Sequence, residues 1–212
     1  MRERGISFGA PMVRAVLSDQ KMQTRRLWKM PRNHEWVDID SGLVRWSGGN
    51  DYHVSEFACP YGVVGDRLWV REAWRVRYES DAIKPRDLKP GIPVIYEASR
   101  TCGGVVGRFR HSMFMPRWAS RILLEIVSVR VERLRLISEA DAIAEGVEGA
   151  FVGGGRYWRN YLLSDADAQC SPMLNFPSES FRSLWEFING GGSWDKNPWV
   201  WVVEFKRITE AA

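Results

Sequence analysis

The feature that most restricts the fold is an apolar segment near the end of the chain, residues 199–205. It reads Trp-Val-Trp-Val-Val-Glu-Phe, so apolar side chains follow one another instead of alternating with polar ones. A short continuous apolar run of this kind predicts a strand that is buried on both faces. Residues 122–134 form the longest predicted strand, and their side chains alternate between two faces. The chain must therefore build a sheet around these two strands and cover it.

Three short helices are predicted beside the strands. Residues 10–17 have Pro11 in the first turn and apolar side chains at helical spacing. Residues 138–146 begin with Ser138 as an N-cap and stop at Gly146. The third helix, residues 179–188, is predicted to be capped by Ser178.

Further strands are predicted at residues 5–8, 67–76 and 92–98, with a hairpin within residues 36–46. Strands separated by long loops and a few short helices predict an α+β protein, built as a small β-barrel with flanking helices. We expect one domain over residues 1–212. Loop insertions are expected near residues 31–51 and 149–177.

Composition narrows the class of protein. Hydrophobic residues make up 45% of the chain and charged residues 26%, which is typical of a soluble globular protein. No apolar run approaches the ~20 residues of a spanning helix, and the first residues do not resemble a secretory signal, so we expect a cytoplasmic protein. The three cysteines and three histidines are not at metal-ligand spacings, so neither a disulfide framework, a metal nor a cofactor is expected.

A basic cluster follows the first helix. Lys21, Thr24, Arg25 and Arg26 lie within six residues, and Lys21 and Thr24 are three apart, so that a turn can bring them to one point. The net charge of +4 is compatible with an anionic partner without identifying one. A basic cluster alone is more often a solvated turn than an anion- or base-binding corner.

Two glutamates occupy unusual positions. Glu72 falls on the apolar face of the strand predicted at residues 67–76, so it either pairs with Lys21 or an arginine or reaches solvent from an edge strand. Glu145 is at the end of the helix at residues 138–146, where its negative charge opposes the helix dipole. Because Glu145 does not stabilise the helix there, its placement indicates either a role outside the helix or simply an exposed side chain.

The eleven tryptophans and the excess of arginine suit a surface that binds phosphates and stacks on bases. Most tryptophans are expected in the core. The candidate substrate-binding residues are the arginines of the basic cluster and six residues from the middle of the chain: Arg25, Arg26, Arg71, Glu72, Trp74, Tyr96, Arg117 and Trp118.

Several of these motifs together resemble the ASCH family, relatives of the PUA domain, and within it a subgroup common in phages and prophages. The resemblance rests on Lys-Met-Gln-Thr-Arg-Arg at residues 21–26, Gly-Asp-Arg-Leu-Trp-Val-Arg-Glu at residues 65–72, the helix at residues 138–146 and the closing strand ending Val-Glu-Phe. It covers most of the chain apart from the two insertions. The motifs are specific for the family and much less specific for an activity.

The resemblance implies a small β-barrel with a basic cleft for a nucleoside or nucleic acid. One bacterial member of the family removes the acetyl group of N4-acetylcytidine with a lysine, a threonine and a glutamate, which match Lys21, Thr24 and Glu145 by motif position. The sequence departs from the family at Asp19-Gln20, where Gly-Arg or a similar pair is usual before the lysine. Other ASCH proteins are described as RNA-binding or ribonucleolytic, so the family leaves the function open.

Two main hypotheses follow. In the first, the chain hydrolyses an N-acylated pyrimidine nucleoside: Thr24 attacks, Lys21 is the base, and Glu145 orients Lys21 or passes on its proton. This requires Lys21 and Thr24 within hydrogen-bond reach, directly or through one water, with Glu145 nearby. In the second, the chain binds RNA or a modified nucleotide without catalysis, or is a ribonuclease. A weaker third hypothesis is a phage adaptor or inhibitor that binds a host protein.

Overall fold

The computed structural model describes residues 1–28, 36–40, 43–47, 58–100, 106–163 and 173–208, with the backbone alone for 36–40 and 43–47. Short 3-10 turns connect many of the elements. The strands and α-helices, in chain order, are β1 Glu3–Ser7, α1 Ala10–Leu17, β2 Gln23–Leu27, β3 Trp36–Asp40, β4 Leu43–Ser47, β5 Arg67–Arg71, β6 Trp74–Arg75, β7 Ile95–Tyr96, β8 Leu123–Arg133, α2 Glu139–Ala144, β9 Gly149–Val152, β10 Gly155–Trp158, α3 Pro177–Asn189 and β11 Trp199–Ile208.

The main sheet has five strands in the order β1-β5-β8-β11-β2. β1 pairs with β5 in parallel, and the other three pairings are antiparallel. The predicted α+β class is therefore confirmed. Among the described residues no ladder is found between the edge strands β1 and β2.

The closing strand β11 is central, as its composition predicts. It lies between β8 and β2, and the side chains of residues 200–203 are at most 1% exposed. Trp201 packs against Trp28 with their ring centroids 6.0 Å apart. The prediction of a strand buried on both faces is confirmed.

The strand predicted at residues 67–76 is divided in two, which corrects the prediction. β5 ends at Arg71, and β6 begins at Trp74 and pairs with β7 instead of continuing along β8. Trp74 then becomes the centre of a second, smaller apolar core with Val76, Leu88, Met115 and Ala119. The strand predicted at residues 92–98 is also shorter in the structure, where only the two residues of β7 pair, and their partner is β6.

The hairpin predicted within residues 36–46 is present as β3 and β4, and its turn at 41–42 lies outside the described residues, as does most of the predicted insertion at 31–51. Residues 149–177 were assigned no regular structure from the sequence. They contain the hairpin of β9 and β10, which the repeated glycines concealed. Residues 164–172 of this insertion are also outside the described part of the chain.

The two later helices differ in how they begin. Ser138 caps α2 as predicted, because its Oγ accepts a hydrogen bond from the backbone N–H of Asp141. α3 begins with Pro177 after Phe176, so the prediction that Ser178 caps it is wrong. The backbone N–H of Ser178 instead donates to Glu139 Oε2 at 2.9 Å, which joins the start of α3 to the start of α2.

No α-helix in the described part of the chain is both long enough and apolar enough to cross a lipid bilayer.

Gly146 lets the end of α2 approach the segment that precedes β2. Its φ is +85°, which favours glycine, and a Cβ added there would lie 2.8 Å from Cβ of Ala15 and 2.9 Å from Cβ of Lys21. The backbone N–H of Met22 also donates to the carbonyl of Ala144 at 2.9 Å. The chain before β2 is thus held directly against the end of α2.

We expect Gly146→Ala to destabilise the protein by more than Gly91→Ala, measured by urea unfolding. Gly91 has a similar φ of +94° but nothing within 4 Å of an added Cβ, so its substitution carries only the backbone cost of ~1–2 kcal/mol. Gly146→Ala adds the overlap with two side chains, for a further ~1–3 kcal/mol. Equal losses in the two variants would show that the close approach at Gly146 is not tight.

Candidate functional site

A cavity of about 600 Å³ brings the basic cluster and the end of α2 together. This volume lies in the ordinary range for small-molecule sites, ~300–1,000 Å³. The polar side of its lining includes Lys21, Thr24, Arg26 and Glu145, and the remainder is largely apolar. The structure therefore places all three predicted catalytic residues in one cavity. The aromatic residues of the lining are Phe8, Tyr61, Phe109, Tyr161, Phe181, Trp185 and Phe187.

The turn between α1 and β2 aims Lys21 into the protein. The backbone N–H groups of Gln20 and Lys21 both donate to the carbonyl of Ala15, at 2.8 and 3.0 Å. Asp19 adopts a φ of 56°, a left-handed conformation that aspartate tolerates better than most residues. The carboxylate of Asp19 is held by two hydrogen bonds from Arg207, at 3.1 and 3.0 Å. The turn is thus fixed at both its backbone and its side chain.

Lys21 and Glu145 form a buried ion pair. Lys21 is 4% exposed and Glu145 3%. Nζ of Lys21 donates to Oε2 of Glu145 at 2.9 Å and to its backbone carbonyl at 2.7 Å. Burial lowers the pKa of Lys21 below 10.5, the charge and hydrogen bond of Glu145 oppose that shift, and Arg26 and Arg25 add to it. Glu145 therefore contacts the basic cluster directly, as the hydrolase hypothesis requires.

Arg25 is fully buried on the other side of Glu145. Its Nη1 donates to Oε1 of Glu145 at 3.0 Å, and its Nε donates to Oε1 of Glu132 at 3.0 Å. Nη2 contacts Glu132 and also Oδ2 of Asp141, which is 3.3 Å away. Every nitrogen of the Arg25 guanidinium has a carboxylate partner. Arg25 therefore holds Glu145 in place, whereas the sequence suggested a substrate-binding arginine.

Arg26 differs from Arg25 although the two are adjacent in sequence. Its Nη2 donates to the carbonyl of Ser7 at 2.8 Å, and its guanidinium carbon lies 5.4 Å from the centre of the Phe8 ring. Its Nε is buried without a hydrogen-bond partner, and no hydrogen bond from Nη1 is found among the described residues. Burial lowers the pKa of Arg26, and the charges of Tyr61 and Glu145 partly oppose this. Of the two arginines, Arg26 is the one with a nitrogen available to a ligand.

Thr24 is buried and lines the cavity, but no hydrogen bond in the described part of the chain joins it to Lys21. Thr24 is held by the pairing of β2 with β11, opposite Val203. The direct Lys21–Thr24 hydrogen bond named in the sequence hypothesis is thus absent from the described structure.

The other predicted binding residues are not part of the cavity lining. Glu72 forms a two-pronged ion pair with Arg121, at 2.8 and 2.9 Å. The predicted alternative of an arginine partner is therefore confirmed, rather than Lys21 or solvent. Arg121 also lies 4.0 Å from the centre of the Tyr96 ring, and the Tyr96 hydroxyl donates to the carbonyl of Ala119. The contacts of Glu72 and Tyr96 are structural.

The other four predicted binding residues also make contacts within the fold and lie outside the cavity lining. Trp74 is fully buried in the second core, and Trp118 packs against that core. Arg117 pairs with Glu3 at 2.9 Å, and Arg71 contacts the carbonyl of Gly5 at 3.4 Å. The structure does not bring these side chains to the cavity.

Sequence reasoning did not identify the residues around Arg25 or most of the aromatic wall. Glu132 lies on β8 and Asp141 in α2, far from Arg25 in sequence, and nothing local to either indicates a shared cation. Phe181 and Trp185 are four residues apart within the helix predicted at residues 179–188, so their helical spacing is the available signal that they share an apolar face. Nothing in the sequence indicated that this face borders a cavity.

Among residues 1–28, 58–100, 106–163 and 173–208, no group of three or more His, Cys, Asp or Glu side chains is arranged to hold a metal ion. The carboxylate in the cavity lining, that of Glu145, pairs with Lys21 and Arg25 instead.

Comparison of the chain with protein-family models, with curated proteins and with solved structures finds no match in any of the three.

We expect Arg25→Met to lower the free energy of unfolding by ~3–5 kcal/mol, because it removes the buried cation that three carboxylates share. Among the cations of the described residues, Glu145 then keeps only Lys21, and Glu132 and Asp141 keep only Arg130. Arg26→Met is the matched control: it removes the same charge from the next residue, which has no carboxylate partner among the described residues. Urea unfolding of the two variants measures the difference. If Arg26→Met costs as much as Arg25→Met, the carboxylates do not depend on Arg25 in the way described.

Proposed function

We propose that this chain is an ASCH-type amidohydrolase that removes an N-acyl group from a modified pyrimidine nucleoside such as N4-acetylcytidine. The observation that carries the proposal is the buried chain of contacts Arg25–Glu145–Lys21, which lines the same aromatic-walled cavity as Thr24. A buried lysine with a lowered pKa in a cleft that also holds a hydroxyl is a candidate arrangement for proton transfer.

The proposal includes the family and its fold. A five-stranded mixed sheet with few helices is compatible with the PUA-like barrel that the resemblance implies, and closure of the barrel belongs to the proposal. The departure from the family pattern at Asp19 is also accommodated. Asp19 takes the left-handed conformation that a glycine would adopt freely, so the turn keeps its shape without the glycine.

When Lys21 loses its proton, the same two hydrogen bonds to Glu145 also suit the neutral amine that a base requires. A neutral lysine has two N–H donors and one lone pair, and Glu145 offers two acceptors, its Oε2 and its carbonyl oxygen. With both N–H groups committed there, the lone pair is left to accept a proton. Glu145 thereby orients the base, and the lowered pKa of Lys21 increases the neutral fraction near pH 7.

The reaction then proceeds through Thr24. Its hydroxyl attacks the acyl carbonyl while Lys21 takes the hydroxyl proton, either directly once substrate is bound or through one water. The C–N bond breaks, the proton passes from Lys21 to the leaving amine, and the acyl group remains on Thr24 as an ester. Lys21 then takes a proton from water, whose oxygen attacks the ester carbonyl. The C–O bond to Thr24 breaks, Lys21 returns the proton to Oγ of Thr24, and the carboxylic acid is released with both residues restored.

Two further features of the cavity support this chemistry. Nη1 of Arg26 is free of partners in the described structure and can donate to the oxyanion that forms on the acyl carbonyl. Phe8, Tyr61 and Phe109 supply aromatic surfaces for the pyrimidine ring. These residues take the stacking role that the sequence assigned to Trp74, Tyr96 and Trp118.

A non-catalytic reader of RNA or of a modified nucleotide is the second candidate. The observation that favours it is the absence of a direct Lys21–Thr24 hydrogen bond in the described structure, since a binding site needs no activated nucleophile. The reader uses the same cavity and the same open nitrogen of Arg26. The third hypothesis, an adaptor or inhibitor that binds a host protein, would favour a flat apolar surface. A cavity lined by buried charged residues fits that hypothesis less well.

We expect Lys21→Met and Thr24→Val each to reduce kcat/KM for an N-acylated pyrimidine nucleoside by roughly 10²-fold or more. Both substitutions keep the approximate size of the side chain and remove only the amine or the hydroxyl. Lys206→Met, an exposed lysine on β11, is the control and should leave the rate unchanged. The assay follows release of the acyl group from a panel of N-acylated nucleosides. Tight RNA binding without turnover of any of them would reject the hydrolase in favour of the reader.

A further inference from the structure

The positive charge of the chain is concentrated in one segment. Residues 67–121 contain twelve Lys and Arg against five Asp and Glu, whereas the whole chain has 30 against 26. The rest of the chain is therefore net acidic. Charge separated in this way produces a local positive field that the modest total charge conceals.

Within this segment, two extended stretches lie side by side and carry four arginines. Residues 74–77 pair with residues 106–110 through the bridges Trp74↔Arg110 and Arg77↔Val106. The backbone N–H of Gly107 donates to the carbonyl of Val76 at 2.9 Å. We call these two stretches the arginine ribbon, after Arg75, Arg77, Arg108 and Arg110.

Two of the four arginines are used by the fold. Arg110 is buried, and its Nη2 contacts three carbonyl oxygens in residues 80–83. Arg75 pairs with Glu97 and donates from Nη1 to the carbonyl of Gly107 at 2.9 Å. Arg110 is too deeply buried to contact a strand outside the protein, and Arg75 is half-buried with two of its nitrogens engaged by the fold.

The other two are exposed and have no side-chain partner among the described residues. Neither Arg77 nor Arg108 forms an ion pair or a side-chain hydrogen bond there, although the backbone N–H of Arg108 donates to Asp81. Exposed guanidinium groups of this kind are the usual partners of nucleic-acid phosphates.

The ribbon leads directly to the cavity. Phe109 and His111, from its second stretch and the residue after it, line the cavity and pack edge to face with ring centroids 5.0 Å apart. Phe109 is 45% exposed, and Tyr78, the residue that follows the first stretch, is 68% exposed. Cations and aromatic rings thus alternate from the outer surface to the cavity.

We propose that the arginine ribbon binds the phosphates of a single-stranded nucleic acid, whose modified base enters the cavity past Phe109. The base chemistry rests on the proposed function above, while the strand binding does not. A single strand is required because a base inside a duplex cannot reach a cavity unless it is unpaired and unstacked. Arginine beside aromatic rings is the combination that binds single strands through phosphate contacts and stacking. The natural substrate is then a nucleotide within a strand, and a free nucleoside uses only part of the site.

The test compares two double variants that remove the same charge. Arg77→Ala/Arg108→Ala alters the ribbon, and Arg135→Ala/Lys196→Ala removes two exposed cations outside residues 67–121. Fluorescence anisotropy with a ~10-nucleotide RNA, which falls within known single-strand site sizes, gives the affinity at several salt concentrations. We expect the ribbon variant to bind at least roughly tenfold more weakly. Its slope of log K against log salt should be smaller by about 1.4, because each lost phosphate contact on a single strand contributes about 0.7.

The control variant should retain nearly the wild-type affinity and slope. Equal losses in the two double variants would overturn the proposal, because only net charge would then matter. Failure of the wild type to bind either RNA or DNA of that sequence would overturn it as well. Binding of both strands, with the same loss in the ribbon variant, would support recognition through the phosphates.

Turnover separates this inference from the proposed hydrolase. The ribbon variant should hydrolyse a free N-acylated nucleoside at the wild-type rate and lose its preference for the same base within a strand. If the wild type hydrolyses free nucleosides with no preference for a strand, the inference fails and the hydrolase stands. If strand binding depends on the ribbon but nothing is hydrolysed, the inference stands and the hydrolase fails.

Discussion

The carboxylate of Glu145 is shared between two buried cations, and the site depends on that sharing. One oxygen faces Lys21 at 2.9 Å and the other faces Arg25 at 3.0 Å. An isolated carboxylate would be costly at this depth, and neither cation would be stable there without an anion. Glu145 therefore depends on these two partners, whereas Arg25 is also paired with Glu132 and Asp141. The arrangement of Lys21, Glu145 and Arg25 fixes the lysine nitrogen in the floor of the cavity.

The surrounding fold serves to bring these three groups together from separate parts of the chain. β2 carries Arg25 and is held at the edge of the sheet by β11. α2 delivers Glu145 at its end, where Gly146 allows the backbone to lie against Lys21. Glu132 on β8 completes the pairing of Arg25. A polar cluster with this many partners ties two strands and a helix into one geometry.

The sequence predicted the elements whose formation depends on residues close together in the chain. The apolar composition of β11, the alternation in β8 and the capping residue of α2 depend on near neighbours in sequence, and the structure has these elements as expected. The proximity of Lys21 and Glu145 came from a family resemblance rather than from spacing. The structure has that contact too.

Tertiary pairing accounts for what the sequence did not reveal. Alternation along β2 places Arg25 and Arg26 on opposite faces, but which face holds carboxylates depends on β8 and α2. Glu72 was correctly expected to need a partner, and many cations were available. Its actual partner, Arg121, follows from the bend after β5 that turns Trp74 into a second core. Ser178 fits a capping pattern, but the helix begins one residue earlier, at Pro177, so Ser178 lies inside its first turn.

The most direct test of this account is an NMR titration of the Lys21 side chain, with Lys21→Met used to assign its signal. Because burial outweighs the attraction of Glu145, we predict a pKa below the ordinary value of 10.5. With that sign, the unfolded chain binds more protons between the two pKa values, so the contribution of Lys21 to stability improves as pH rises toward 10.5. A pKa of Lys21 at or above 10.5 would keep the amine charged at neutral pH and would contradict its role as a base.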